Sequence, residues 1–440
     1  MSARGRSALD SGTRQMLWRF APMIYGPTLL FGLGEGALLP LLPVVAASLG
    51  ADVPQAAFIA AALVVARLVG NLPAGWLVAR IGERYTMAIA GALALAGSLG
   101  VIFAPTLALL AVSVFGIGLC ASAFGLARHA FMTTRVPLNY RARALSVLGG
   151  SFRLGMFAGP FVAAAMLAVW DDERAVAWFF AACLVALILL VLVGRDPEEE
   201  LASAGLTPPR DAPVRIEDDI ADDTGEATTG SIPTAERQGV FRTMWRYRGV
   251  LARLGLPAAT LSALRQARVY LLPLWGLSLG LDAQTIALVV GITGALEFGL
   301  FYSSGQIMDR WGRLWAALPS MVLMGAAFLG LAFTHDLPAA FGWFIAVAVV
   351  VGIGNGLSSG ILMTLGADVA PPADPAAFLG SWRTLTDAGG AAAPLLIAAI
   401  TAASTLSAAT AVIGVIGLLG AVGFAVTIPR YVPHPRPSGG

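Results

Sequence analysis

Lysine is absent from the chain: all 28 basic residues are arginine. That absence excludes a G-x-x-x-x-G-K phosphate loop, and with it nucleotide hydrolysis by that route. Histidine is scarce too. His129, His335 and His434 lie far apart, so neither a metal-ligand spacing nor a Ser-His-Asp arrangement can be read from them. The two cysteines, Cys120 and Cys183, sit inside apolar runs and read as small buried hydrophobes, not as a disulfide framework. Charged residues make up 12% of the chain, against roughly a quarter in a soluble protein. A net charge of +2 gives no footprint for nucleic acid. No enzyme activity, metal or cofactor is implied.

What is there instead is apolar. Hydrophobic residues make up 57% of the chain and the mean hydropathy is +0.78. Apolar runs occur at about 21–47, 55–79, 86–104, 106–130, 144–169, 174–194, 255–280, 284–307, 315–334, 338–366, 376–401 and 405–428. Each meets the roughly 20 residues needed to cross a bilayer as a helix. The first follows Arg4, Arg6, Arg14 and Arg19 but is too long for a signal-peptide core, so it reads as an uncleaved first span. One set of short loops holds Arg80, Arg84, Arg135, Arg141, Arg143, Arg310 and Arg313; the opposite set holds only Arg174. The positive-inside rule places the arginine-rich side in the cytoplasm, with both termini inside and the chain in the plasma (inner) membrane.

The expected fold is an all-α membrane protein of twelve transmembrane helices in two pseudo-symmetric six-helix bundles. These are 21–195 and 255–428, with cytoplasmic tails at 1–20 and 429–440. The linker at 196–254 begins acidic and Pro-containing, a composition expected to be disordered. It ends in "VFRTMWRYRGVLARLG", which reads either as a basic amphipathic helix on the membrane surface or as the start of span 7.

Two phrases link the halves. "GWLVARIGER" (75–84) and "GQIMDRWGR" (305–313) share Gly75 and Gly305, Arg80 and Arg310, Gly82 and Gly312. The later copy adds Asp309, where the earlier has Ala79. It ends on Arg313, where the earlier has Glu83 and then Arg84. "GSFR" (150–153) and "GSWR" (380–383) form a second echo. Paired repeats of this kind are the mark of a secondary transporter.

These residues resemble the major facilitator superfamily, whose motif G-x-x-x-D-R-x-G-R is complete in the second copy and lacks its Asp in the first. "GMFAGPFVAA" (155–164) is similar to the span-5 motif of the drug:proton antiporter branch, with Gly155, Gly159 and Pro160 in place and Ala163 and Ala164 for its last glycines. That branch usually has an Arg four residues before a span-4 glycine. Gly116 fits the glycine but Val112 stands where the Arg would be. "GLGEG" (32–36) and "GIGNG" (352–356) lie inside apolar helices and read as packing.

Ionisable groups inside a membrane are costly, which makes each one a site candidate. Here they are Glu35, Arg67, Arg153, Arg265, Arg268, Glu297, Arg383 and Asp387, with Arg128 and Asp368 nearer the cytoplasmic ends. In the fold the resemblance implies, spans 2 and 11 abut, as do 5 and 8. Arg67–Asp387 and Arg153–Glu297 are then expected as bridges between the bundles. Spans 1 and 7 line the central cavity of that fold. Glu35 is therefore the expected proton site, unless it forms a permanent pair with Arg265 or Arg268. Those two arginines are the substrate-cavity candidates, three positions apart on one helical face. Asp309 is expected to lock the inner side against the start of span 5, with Arg141 or Arg143 in reach; Ala79 leaves the other side unlocked.

The reading is a monomeric, proton-coupled transporter in the lipid bilayer, exporting small lipophilic compounds or drugs by alternating access. An uptake carrier for an organic anion, clamped by Arg265 and Arg268, is the rival within transport. A non-transporting scaffold or sensor acting through the linker is the rival outside it.

Overall fold

The computed structural model describes residues 21–135, 138–170, 172–194, 245–371 and 375–432. The first six helices are α1 Met23–Ser48, α2 Val53–Ile81, α3 Glu83–Ile102, α4 Leu107–Arg135, α5 Leu138–Trp170 and α6 Arg174–Val193. The second six are α7 Leu256–Ser278, α8 Ala283–Trp311, α9 Arg313–Leu331, α10 Ala340–Val369, α11 Pro375–Ala403 and α12 Leu406–Tyr431. No strand occurs among the described residues. Eleven of the twelve are long and apolar enough to cross a membrane. The exception is α7, whose 23 residues include Arg265, Gln266 and Arg268.

Within the first six helices α1 packs on α5 and α6, α4 on α2 and α3, and α3 on α6. The second six repeat the scheme: α7 on α11 and α12, α10 on α8 and α9, and α9 on α12. The two bundles meet along α2–α11 and α5–α8, the neighbours that the family resemblance implied.

The repeat extends to the caps. Asp52 accepts from Gln55 N at 2.8 Å to open α2, and Asp282 accepts from Thr285 N at 2.7 Å to open α8. Each satisfies an orphan amide, worth about 1 kcal/mol. Gly50 and Gly280, in the turns just before, both have positive φ.

α1 is not uniform. A 3-10 turn at Leu39–Leu41 interrupts it, where Pro40 and Pro43 remove amide donors. Beyond that turn α1 reaches the second bundle. Leu39–Leu41 touches α7 and α8, and Leu42–Ser48 touches α7. Ala37, Leu41 and Val44 bury there with Ala163, Leu167, Ala283 and Ile286. An apolar seal therefore joins the bundles at the end opposite the arginine-rich loops.

α10 is broken between Leu357 and Ile361, with Gly360 at φ 81°. The exposed carbonyls find side-chain donors. Ser304 Oγ of α8 lies 2.8 Å from both Leu357 O and Ser359 O, and Arg265 of α7 donates to Ser358 O at 3.4 Å. Irregular backbone at membrane depth is tolerated only where protein groups satisfy it in this way.

At the linker's end the helical turn Arg248–Val250 runs through Leu251–Gly255 into α7. Tyr247 packs edge-on to Phe378, centroids 5.5 Å apart, and Arg253 donates to Tyr431 Oη at 3.2 Å. This stretch of the basic segment is the entry to α7; residues 196–244 lie outside the described part.

Candidate functional site

The site starts from a seam of glycines. A Cβ on Gly32 would stand 2.7 Å from the Phe152 carbonyl oxygen, and one on Gly36 would stand 2.7 Å from that of Met156. From the other side, a Cβ on Gly155 would meet Leu29 O at 2.5 Å, and one on Gly159 would meet Ala37 N at 2.5 Å. The "GLGEG" string and the α5 motif thus interlock, and the backbones of α1 and α5 nearly touch. The seam fixes the turn that carries Glu35.

Glu35 is 1% exposed. Its carboxylate accepts from the guanidinium of Arg67 on α2, in a salt bridge. Across the bundle interface, the Tyr270 phenol of α7 lies within electrostatic reach of both charges. The second bundle holds its own pair: Arg268 Nη2 of α7 lies 2.8 Å from Glu297 Oε2 of α8. Arg265, one turn before Arg268, donates through Nε to Asn355 Oδ1 at 3.0 Å.

The expected bridges between bundles are replaced by pairs within them. Arg67 goes to Glu35, not to Asp387, and Glu297 goes to Arg268, not to Arg153. Asp387 has Arg383 at 3.8 Å, four residues back on α11, where helical spacing puts both on one face. Arg153 lies over the Phe301 ring of α8 at 4.7 Å, so it does reach the other bundle, but through a π face. Beside it Phe157 and Phe298 stack with centroids 5.2 Å apart. The physical reason is proximity: consecutive antiparallel helices offer an opposite charge sooner than the facing bundle does. The salt bridge of Glu35 is to Arg67, where Arg265 or Arg268 was the expected permanent partner.

Arg128 is 2% exposed and sits over Phe124 and Phe152, at 5.7 and 4.7 Å. Sequence reasoning missed Asn355, taken as part of a bland glycine string. The signal available was an amide in an otherwise apolar helix, which must find a partner when buried.

The motif loops share one backbone form. Gly82 and Gly312 take φ 81° and 94° with ψ 170° and 164°, a region open almost only to glycine. Their arginines act differently. Arg84 caps the end of α6, donating to Val191 O, Leu192 O and Gly194 O at 3.0, 2.7 and 2.8 Å. Such a cation at a helix C-terminus meets the negative end of the dipole. Arg313 instead bonds Asp368 at the end of α10, at 2.8 and 3.4 Å. Arg80 and Arg310 lie over Trp76 and Trp311. Asp309 is 85% exposed, with Arg313 at 3.8 Å. The side chains of Arg141 and Arg143, its expected partners, lie outside the described residues. Gly75 and Gly305 lie in the last two turns of α2 and α8.

The family profile described as Major Facilitator Superfamily matches residues 28–394 and 304–440. Among solved structures, the chain is similar to a POT family transporter in complex with a thioalcohol-conjugated peptide, at 13% identity and a TM-score of 0.68. It is also similar to a POT family transporter in complex with 5-aminolevulinic acid, at 14% identity and a TM-score of 0.68. Each match covers 93% of this chain and 96% of the other. At that identity the likeness shows the fold. No curated protein matches the chain.

Proposed function

Because the chain belongs to the Major Facilitator Superfamily, and is thus a multi-pass membrane transporter, we propose that it is proton-coupled and works by alternating access, with Glu35 carrying the proton. The observation behind this reading is a carboxylate buried to 1% on α1, held by the glycine seam and paired with a cation. A charge in that setting is tolerated only while its counter-charge is present. Ionised, Glu35 holds the Arg67 guanidinium. A proton on its carboxylate oxygen cancels that attraction and loosens the hold on the guanidinium, which cargo can then engage. Loss of that proton restores the pair and competes with the cargo.

The arginine-rich end is the cytoplasmic one, in the plasma (inner) membrane. The apolar seal of α1, α5 and α8 then closes the outer side. One chain carries both bundles that alternating access needs, so a monomer suffices. Export of lipophilic compounds rested on the α5 motif, whose glycines the α1–α5 contact already accounts for. An anion clamp of Arg265 and Arg268 is weakened by the withdrawal of Arg268, whose side chain is 13% exposed. The partly exposed charges of Arg67 and Glu297 favour a polar cargo.

The test is flux into proteoliposomes under an imposed pH gradient, with a panel of lipophilic cations, organic anions and amino acids. Wild type should move at least one class in response to the gradient. Glu35→Gln should bind that compound but lose the gradient response. Undiminished pH-driven flux in the mutant would sink the assignment.

A further inference from the structure

Arg67 and Glu297 stand 230 positions apart, the interval that also separates Asp52 from Asp282 and Gly82 from Gly312. They are the same position of the two repeats, at the same depth after the same cap. Each belongs to an ion pair with the preceding helix of its own bundle, α1 or α7. The polarity is inverted. In the first bundle the acid is on the first helix of the pair and the base on the second; in the second bundle the order is reversed.

Exposure follows the repeat and not the charge. The α2 and α8 members are the accessible ones, Arg67 at 30% and Glu297 at 28% of their side-chain surface. Their partners are withdrawn, Glu35 to 2% and Arg268 to 13%. The exposed part of a charge at membrane depth faces water or cargo, not acyl chains. The two bundles therefore present opposite charges from equivalent places: a planar guanidinium from the first, a carboxylate from the second.

We propose that Arg67 and Glu297 are the two ends of a site for a zwitterion, a small molecule with a carboxylate at one end and a protonated amine at the other. The guanidinium takes the carboxylate as a bidentate fork. Glu297 takes the ammonium. A simple anion gains at Arg67 and is repelled at Glu297; a lipophilic cation meets the reverse. A zwitterion gains at both ends and bridges the bundles, which gives it different affinity for states in which the bundles are closer or farther apart. This rests on the transport reading above, in that protonation of Glu35 loosens its pair with Arg67.

The test is equilibrium binding to the purified full chain, without a proton gradient, so a failure of proton coupling leaves it intact. The probes are the straight-chain ω-amino acids from glycine to 6-aminohexanoate, with the alkylamine and the carboxylate of each length. One length should bind, and tighter than either singly charged analogue by about tenfold or more, the worth of one charge-assisted contact. Arg67→Gln should lower its affinity to that of the amine, and Glu297→Gln to that of the carboxylate, while Arg67→Lys retains most of it. If Arg67→Gln does not fold, Glu35→Gln with Arg67→Gln supplies the same comparison without a stranded carboxylate. The proposal is overturned if no ω-amino acid binds. It is also overturned if a singly charged analogue binds as tightly, or if the neutral variants keep the preference.

Discussion

At the end of α2 the chain turns at Gly82 with φ 81° and ψ 170°; at the end of α8 it turns at Gly312 with φ 94° and ψ 164°. The same comparison holds at the starts of these helices, where Asp52 and Asp282 bond the amide three residues on. It fails where charge is concerned. Glu297 stands in the place of Arg67, Asp309 in the place of Ala79, and Arg313 seeks Asp368 where Arg84 seeks the end of α6. Duplication kept what the backbone requires and let the charges diverge. A turn at positive φ has one solution, glycine, whereas an ion pair works with either sign on either helix.

The largest effect should come from unequal burial of the two pairs. Arg67→Ala removes the guanidinium from a salt bridge whose carboxylate is 2% exposed and should cost about 3–5 kcal/mol. Arg268→Ala leaves Glu297, 28% exposed and able to hydrate, and should cost nearer 1 kcal/mol. Thermal unfolding of the purified protein in detergent reads both. Equal losses would mean that the bundles do not differ in the way their exposures imply.

A second comparison should come out equal. Gly82→Ala and Gly312→Ala each force a side chain into backbone space open almost only to glycine, at about 1–3 kcal/mol. A Cβ at Gly82 meets nothing within 4 Å, so the cost there is that of the backbone alone. If one variant unfolds well before the other, the two loops are not the same device.

The smallest effect concerns the copy without its acid. Ala79→Asp supplies the charge that Asp309 supplies in the second repeat. An exposed carboxylate near a helix start is worth about 0.3–1 kcal/mol, and Asp309 itself is 85% exposed. A cysteine reporter placed between the bundles at the arginine-rich end should label more slowly in the variant. Unchanged or faster labelling in a folded protein would refute a missing lock.

The sequence carried the helices, the two bundles and the duplicated turns, because apolar run length and glycine at a fixed interval are local properties. It also singled out Glu35, Arg67, Arg268 and Glu297, since a charge in an apolar helix is visible without a partner. Which charge meets which was not legible. That depends on how far each helix is rotated about its axis, and a rotation of one residue swings a side chain by about 100°. Asn355 escaped for a different reason: a neutral amide among glycines attracts no notice, although it holds Arg265 at 3.0 Å. Arg84, one place late for the motif, became intelligible only with the end of α6 beside it.

The break at Ser358–Gly360 gives α10 two separate ladders of backbone hydrogen bonds, Ala340–Leu357 and Ile361–Val369. Cooperative unzipping from one terminus has nothing to pass along at the gap. Deuterium uptake advancing from Val369 should therefore run through the nine-residue segment and stall at Gly360, while the eighteen residues beyond keep their protons. In α4, a single uninterrupted helix of 29 residues, no such boundary exists, and the exchange front should fade gradually.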